Sequence, residues 1–205
     1  MNRSVRFAAA VAGLALWVIA APVFAQEAKE VHPGSEAFDP DASDVALSEL
    51  LDRLFGQLHK AGDADQARLI EQAIWKVWSR SGSPSADLLL AQAEKAMRAR
   101  AFPSALAILD TVIDLKPEFA EAWNKRATAY YLMRRFDQSL ADIDRVLELE
   151  PRHFGALAGR GLILRELGKD RDALAAYRRA LAIHPNMAGP QKAVKELSAG
   201  IEQDI

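Results

Sequence analysis

The fold is decided by residues 120–153, AEAWNKRATAYYLMRRFDQSLADIDRVLELEPRH. The phrase that closes this stretch, Leu149-Glu150-Pro151, has counterparts at Leu115-Lys116-Pro117 and Ile183-His184-Pro185, so the three prolines are spaced by 34 residues. A second phrase recurs in the same register, as FPSAL at 102–106, FDQSL at 136–140 and DRDAL at 170–174. Two phrases that repeat in step at this period indicate an array of stacked helical pairs.

Small residues also recur at the period of 34, where the two helices of each pair have to approach closely. They are Ala93, Ala127 and Gly161 on the first helices and Ala105, Ser139 and Ala173 on the second. The surrounding composition favours helix, because half of the residues are hydrophobic, with many Ala and Leu, and only 7% are aromatic. The sequence therefore predicts an all-α chain.

The chain resembles the tetratricopeptide repeat family over residues 86–187, as three units at 86–119, 120–153 and 154–187. The middle unit carries the family's signature residue types most completely: Trp123, Ala127, Tyr130, Ser139, Ile143, Val146 and Pro151. The other units carry Leu89, Ala93, Ala96, Ala105, Leu109, Val112 and Pro117, and Leu157, Gly161, Leu164, Ala173, Tyr177, Ala180 and Pro185. The family usually has Leu where this chain has Gln92, Arg126 and Arg160.

The resemblance implies an α-solenoid in which each pair of antiparallel helices buries its apolar face against its neighbours. In this family the first helices line a concave groove that holds a peptide or a helix of a partner protein. Carried over residue by residue, the expected partner-binding groove positions are Leu90, Met97, Asn124, Thr128, Tyr131, Leu162 and Arg165. Some family members clamp a terminal carboxylate with cations, but Glu94 and Glu166 oppose that chemistry here.

Both ends of the array are predicted to have helical covers, since an unstacked repeat exposes apolar surface. Apolar residues at helical spacing predict an N-terminal capping hairpin over 44–81, and residues 190–205 are read as a C-terminal capping helix. Within the hairpin, Trp75 and Trp78 are three positions apart. They are interpreted as packing against the first repeat, with an aromatic binding site as the alternative.

The N-terminus has the pattern of a secretory signal peptide over residues 1–25. Arg3 and Arg6 supply the positive charge, an apolar stretch follows from Ala8 to Ala21, and Val23-Phe24-Ala25 is a cleavage sequence. An uncleaved membrane anchor is the alternative, and it is the one membrane contact expected of the chain. Residues 26–43 are rich in charge and contain Pro33, Gly34 and Pro40, so they are interpreted as a flexible leader.

Composition argues against several classes of function. The chain has no cysteine and a net charge of −2, so neither thiolate chemistry nor a concentrated basic face for nucleic acid is expected. The four histidines share no segment, and no nucleophile, base and orienting group occur together. We therefore expect no metal, no cofactor and no enzymatic activity. Asp142 and Asp144 are interpreted as solvated surface.

The whole arrangement is similar to small exported tetratricopeptide proteins of Gram-negative bacteria. This resemblance implies an exported protein–protein interaction module, in the periplasm, acting as an adaptor or assembly factor for an unidentified protein or peptide. The alternative is a structural envelope protein that self-associates, for instance through the hairpin at 44–81. A homo-oligomer is one of the oligomeric states that the sequence allows. Arg126 and Arg160 could contact an acidic partner group, or pair with nearby Glu side chains while their stems cover apolar surface.

Overall fold

The computed structural model describes residues 40–203, and all regular secondary structure within this range is α-helical. The helices, in chain order, are α1 (Pro40–His59), α2 (Ala64–Trp78), α3 (Pro84–Arg98), α4 (Phe102–Leu115), α5 (Ala120–Leu132), α6 (Phe136–Leu149), α7 (Phe154–Glu166), α8 (Asp170–Ile183) and α9 (Ala188–Gln203). This confirms the predicted all-α class. The signal peptide and most of the leader lie outside the described residues.

The helices follow the 34-residue register that the sequence predicts. The second helices begin at Phe102, Phe136 and Asp170. Each pair α3/α4, α5/α6 and α7/α8 forms one repeat, and consecutive pairs pack side by side. The C-terminal helix α9 begins at Ala188, 34 residues after the start of α7 at Phe154, so it stands where the first helix of a further repeat would begin.

Close approach within each pair depends on the small residues. Ala93 and Ala105 are fully buried in the first repeat. In the second repeat, the Ser139 hydroxyl donates a hydrogen bond of 2.7 Å to the carbonyl oxygen of Ala127. In the third, a Cβ atom at Gly161 would lie 2.7 Å from Cε1 of Tyr177, closer than van der Waals contact allows. The predicted role of the small positions is confirmed.

Trp123, a signature residue of the middle unit, lies at the edge of the core. It packs against the core clusters of both the first and the second repeat, yet the residue is only half-buried. Its indole N–H donates a hydrogen bond of 3.0 Å to the carbonyl oxygen of Pro117, and the guanidinium of Arg126 lies 4.8 Å from the ring centroid. Trp123 therefore bridges two repeats at the edge of the core.

The N-terminal hairpin consists of α1 and α2, which pack against each other. The first helix begins at Pro40, so the last residues of the predicted leader, 40–43, are helical. Asp63 caps α2 by accepting a hydrogen bond of 2.8 Å from the backbone N–H of Gln66. Among residues 40–203, no helix is both long and apolar enough to cross a membrane.

The prediction that Trp75 and Trp78 of the hairpin pack against the first repeat is wrong. Trp78 stacks on His153, and both Trp75 and Trp78 contact Phe154, which begins the third repeat. The core cluster of the first repeat contains no hairpin residue, whereas that of the hairpin includes Phe154 and is flanked by Ile183 and Met187. The hairpin packs at the seam between the second and third repeats because His153 and Phe154 form a large aromatic surface there. Helices α1 and α2 shield this surface from water.

Candidate functional site

Three adjoining cavities lie along the first helices of the repeats, and we call this row the groove. The central cavity has a volume of about 270 Å³ and lies between α5 and α7. A cavity of about 350 Å³ lies between α3, α5 and Trp75, and one of about 600 Å³ lies between α7 and α9. Asn124 and Thr128 line the first two cavities, and Gly159 and Leu162 line the central and last, so the groove is continuous.

The lining of the central cavity is mostly apolar. Its residues are Asn124, Ala127, Thr128, Tyr131, Leu132, Ser139, Ile143, Gly155, Ala156, Gly159, Leu162 and Ile163. Leu132 and Leu162 keep 51% and 39% of their surface exposed, so this cavity presents two large apolar side chains to the solvent. The absent side chain at Gly159 leaves the cavity open, since a Cβ atom there would meet only Ile143, at 3.8 Å.

Six of the seven predicted groove residues line the cavities. Asn124, Thr128, Tyr131 and Leu162 surround the central cavity, Met97 lines the first, and Arg165 lines the last. Leu90 does not. It is 3% exposed and belongs to the core of the first repeat, because this apolar side chain gains more by packing with Phe119 and Ala122 than by facing water.

A partly buried ion-pair cluster that the sequence did not predict lies at the wall of the first cavity. The ammonium of Lys125 lies 2.8 Å from a carboxylate oxygen of Glu94 and 3.1 Å from one of Glu121, a residue that is 1% exposed. Burial alone lowers the pKa of Lys125, but the charges and hydrogen bonds of the two glutamates outweigh burial and raise it. Because Lys125 is neutralised twice, it offers little positive charge to a ligand.

Two further residues, Asn124 and His153, lie against the carboxylate of Glu121. Asn124 donates a hydrogen bond of 3.0 Å to this carboxylate, and Nε2 of His153 lies 3.3 Å from it. The other ring nitrogen of His153 accepts a hydrogen bond of 3.0 Å from the backbone N–H of Ala156 and so caps α7. This network fixes Asn124 at the rim of the central cavity. A weak signal for it existed in the sequence, as Glu121 and Lys125 are an i, i+4 pair.

The last cavity carries its charges on α7 and α9. The guanidinium of Arg165 lies 2.8 Å from a carboxylate oxygen of Glu196, and the ammonium of Lys192 lies 3.8 Å from the other oxygen. Tyr177 lines the same cavity, and burial raises the pKa of its phenol. Two cations therefore share one carboxylate at this end of the groove.

Arg126 and Arg160 pair with aspartates of neighbouring helices. Arg126 donates hydrogen bonds of 2.9 and 2.7 Å to Asp142 and one of 2.7 Å to Asp110. The hydrogen bonds to Asp142 raise the pKa of Arg126, against the opposing effect of burial. Arg160 donates one hydrogen bond, to Asp144 of α6. These contacts favour the interpretation in which both arginines pair with nearby carboxylates of the chain itself. The carboxylates belong to aspartates and not to the expected glutamates.

The interpretation of Asp142 as solvated surface is wrong. This residue is 4% exposed, because its carboxylate is turned toward Arg126 and accepts two hydrogen bonds. Asp144, two positions on, stays exposed on another face of α6 while it pairs with Arg160. The available signal was spacing, since Asp110, Arg126 and Asp142 are separated by 16 residues each and Asp144 stands 16 before Arg160.

Comparison with known proteins identifies the repeats. A tetratricopeptide repeat family model matches residues 90–134 and 124–188. A TPR repeat-containing protein of Rhizobium etli is 43% identical over 148 residues, which is 72% of each chain. This chain belongs to the tetratricopeptide repeat family.

Solved TPR structures share the fold. The first TPR domain of Spaghetti (RPAP3), bound to the HSP90 peptide SRMEEVD, superposes with a TM-score of 0.55 at 21% identity, covering 57% of this chain and 93% of that one. The Sgt2 TPR domain from Aspergillus fumigatus gives 0.56 at 18% identity, covering 60% and 82%. At these identities the likeness extends to the TPR fold alone.

Proposed function

We propose that this TPR protein binds an extended segment of a partner protein in the groove. The observation that carries the proposal is the continuity of the three cavities across all three repeats, with a mostly apolar wall at the centre. Apolar pockets with a few fixed polar groups at the rim are typical binding sites. Asn124 and Thr128 supply such groups between the first and central cavities.

We further propose, from the N-terminal sequence, that the protein acts outside the cytoplasm. A cleaved signal peptide over residues 1–25 would deliver a mature chain beginning at Gln26 to the periplasm, where it would act as an adaptor or assembly factor. Fractionation of a Gram-negative host that expresses the full chain, with N-terminal sequencing of the product, tests this part. A product in the cytoplasm that retains Met1 would contradict it.

Self-association through the hairpin receives less support than groove binding. The apolar stripe of the hairpin, which includes Phe55, Leu58 and Ile74, is buried against the chain's own α2, α1 and Phe154. The same surface is therefore not free to pair with a second copy. Val45 and Leu69 remain exposed as single residues, which is normal on a soluble surface.

Gly159→Leu is the variant that tests the groove directly. The new side chain would fill the groove where the central and last cavities meet, and its Cβ atom has room. Gly200→Leu is the matched control, because nothing lies within 4 Å of a Cβ atom at that position of α9. We expect crosslinking in the envelope to recover the same partner with the wild type and Gly200→Leu, and to lose it with Gly159→Leu. Equal recovery by both variants would refute the groove.

A further inference from the structure

The central cavity is suited to one bulky apolar side chain. An apolar cavity of about 150 Å³ is enough to hold benzene, and the central cavity has about 270 Å³. Its wall includes Tyr131, Ile143 and Ile163, while Asn124 and Thr128 are two of its few polar residues. A mostly apolar pocket of this kind is where an aromatic or large aliphatic anchor of a partner, by displacing water, contributes most of the binding energy.

The last cavity has an excess of positive charge. Arg165 and Lys192 contribute two positive charges and Glu196 contributes one negative charge. The other lining residues are uncharged. The Lys192 side chain is 79% exposed and its 3.8 Å pair with Glu196 is long, so its ammonium is available to a further carboxylate. Charge complementarity therefore favours an acidic residue in the bound segment at this end.

The distance between the two features sets the spacing in the partner. Leu162 lines both cavities, and Arg165 follows it by one helical turn on α7. The central cavity lies between α5 and α7 and the last cavity between α7 and α9, so their centres are separated by about one interhelical distance, about 8–10 Å. An extended chain advances about 3.3 Å per residue. The acidic residue would therefore stand about three positions from the apolar anchor.

We propose that the groove selects an internal segment in which one bulky apolar residue is followed or preceded, about three positions away, by Asp or Glu. This inference rests on the proposed function of the groove. A free terminal carboxylate is not required, because Lys125 is already bound by Glu94 and Glu121. The apolar residue occupies the central cavity, and the acidic residue pairs with Lys192 and Arg165.

A display library of random peptides, selected on the mature protein, tests the inference. Enriched peptides are then synthesised and their affinities are measured by fluorescence polarisation. We expect an apolar anchor with a nearby acidic residue, and a loss of about tenfold or more when the anchor becomes Ala or when the protein carries Gly159→Leu. Lys192→Gln should weaken acidic peptides several-fold and leave peptides with Gln in place of the acid unchanged. Amidation of the peptide C-terminus should change nothing.

The outcomes separate this inference from the function on which it rests. Peptides that are lost on Gly159→Leu but show no acidic preference, or that need a free C-terminus, would overturn the inference and leave groove binding intact. Failure to enrich any peptide, or enrichment of peptides that bind Gly159→Leu and Gly200→Leu equally well, would overturn both.

Discussion

Trp78 stacks flat on His153, with ring centroids 4.2 Å apart and an angle of 7° between the rings. The two residues are 75 positions apart in the sequence, and the contact joins the N-terminal hairpin to the seam between the second and third repeats. His153 is fully buried beneath the indole and caps α7 at the same time. The hairpin is thus an integral part of the domain core.

Trp78→Ala is therefore expected to lower the free energy of unfolding by about 3–5 kcal/mol, as for large aromatic truncations in cores. Urea unfolding measures the loss, and hydrogen exchange locates it. Exchange should rise first in α1 and α2, since they lose their main contact with the repeats. Trp78→Phe keeps an aromatic ring and should cost less. A loss for Trp78→Ala below about 1 kcal/mol, as for surface changes, would show that the stack does not hold the hairpin.

Gly161→Ala is expected to destabilise the protein by about 1–3 kcal/mol, even though Ala favours helix by about 1 kcal/mol. The added methyl group would lie 2.7–2.9 Å from three ring carbons of Tyr177, and a buried ring cannot move aside easily. Gly159→Ala, two positions away on the same helix, is the control. Its methyl group has room, so it should stabilise by about 0.5–1 kcal/mol. Thermal unfolding of both variants gives the comparison, and equal shifts would contradict the argument.

The repeats could be predicted because their signals are periodic and local. Pro117, Pro151 and Pro185 fix the register, and the small positions follow at the same spacing. The positions that line the groove, apart from Leu90, follow from the family resemblance placed in that register. At its position, the equivalent residue Asn124 is polar and remains at the groove rim. An apolar side chain at such a boundary is free to turn into the core, and periodicity does not decide which way it turns.

The docking of the hairpin could not be predicted from periodicity. Its apolar stripe shows that α1 and α2 must bury one face, but not which surface receives it. The partner surface is formed by His153 and Phe154 at the start of α7 and by His184 at the end of α8, which come together only when these two helices pack. The cluster of Lys125 with Glu94 and Glu121 depends on the packing of the first repeat against the second. The surface that receives the hairpin therefore leaves no spacing signal in the sequence, and the cluster leaves only the i, i+4 pair of Glu121 and Lys125.

Arg100→Gly is expected to raise the free energy of unfolding by about 0.5–1 kcal/mol. Arg100 and Arg134 both have φ of 57°, and Gly168 occupies the equivalent turn of the third repeat with φ of 70°. A residue with a side chain destabilises the folded state by about 1–2 kcal/mol in this left-handed region. Glycine removes that cost, but it also raises the entropy of the unfolded chain, so the net gain in stability is smaller. Arg100→Ala is the control, because it removes the charge but keeps the strain. Chemical denaturation should show a gain for Gly and none for Ala; equal effects would assign the change to charge.

Lys125→Met is expected to cost about 1–3 kcal/mol near neutral pH, since it leaves the carboxylate of Glu121 buried without its ion-pair partner. Because the pKa of Lys125 is raised on folding, its stabilising effect is complete below the unfolded value of about 10.4 and is lost as the pH rises through the higher folded value. The difference in unfolding free energy between the wild type and Lys125→Met should therefore shrink at strongly alkaline pH. Burial also raises the pKa of Tyr177, but the resulting loss of stability at alkaline pH is the same in both proteins and cancels in the difference.

Lys76→Met, which replaces an exposed lysine on α2, is the control and should show a small difference in unfolding free energy from the wild type at every pH. A difference between the wild type and Lys125→Met that stays constant to the highest pH would contradict the assigned ion pair.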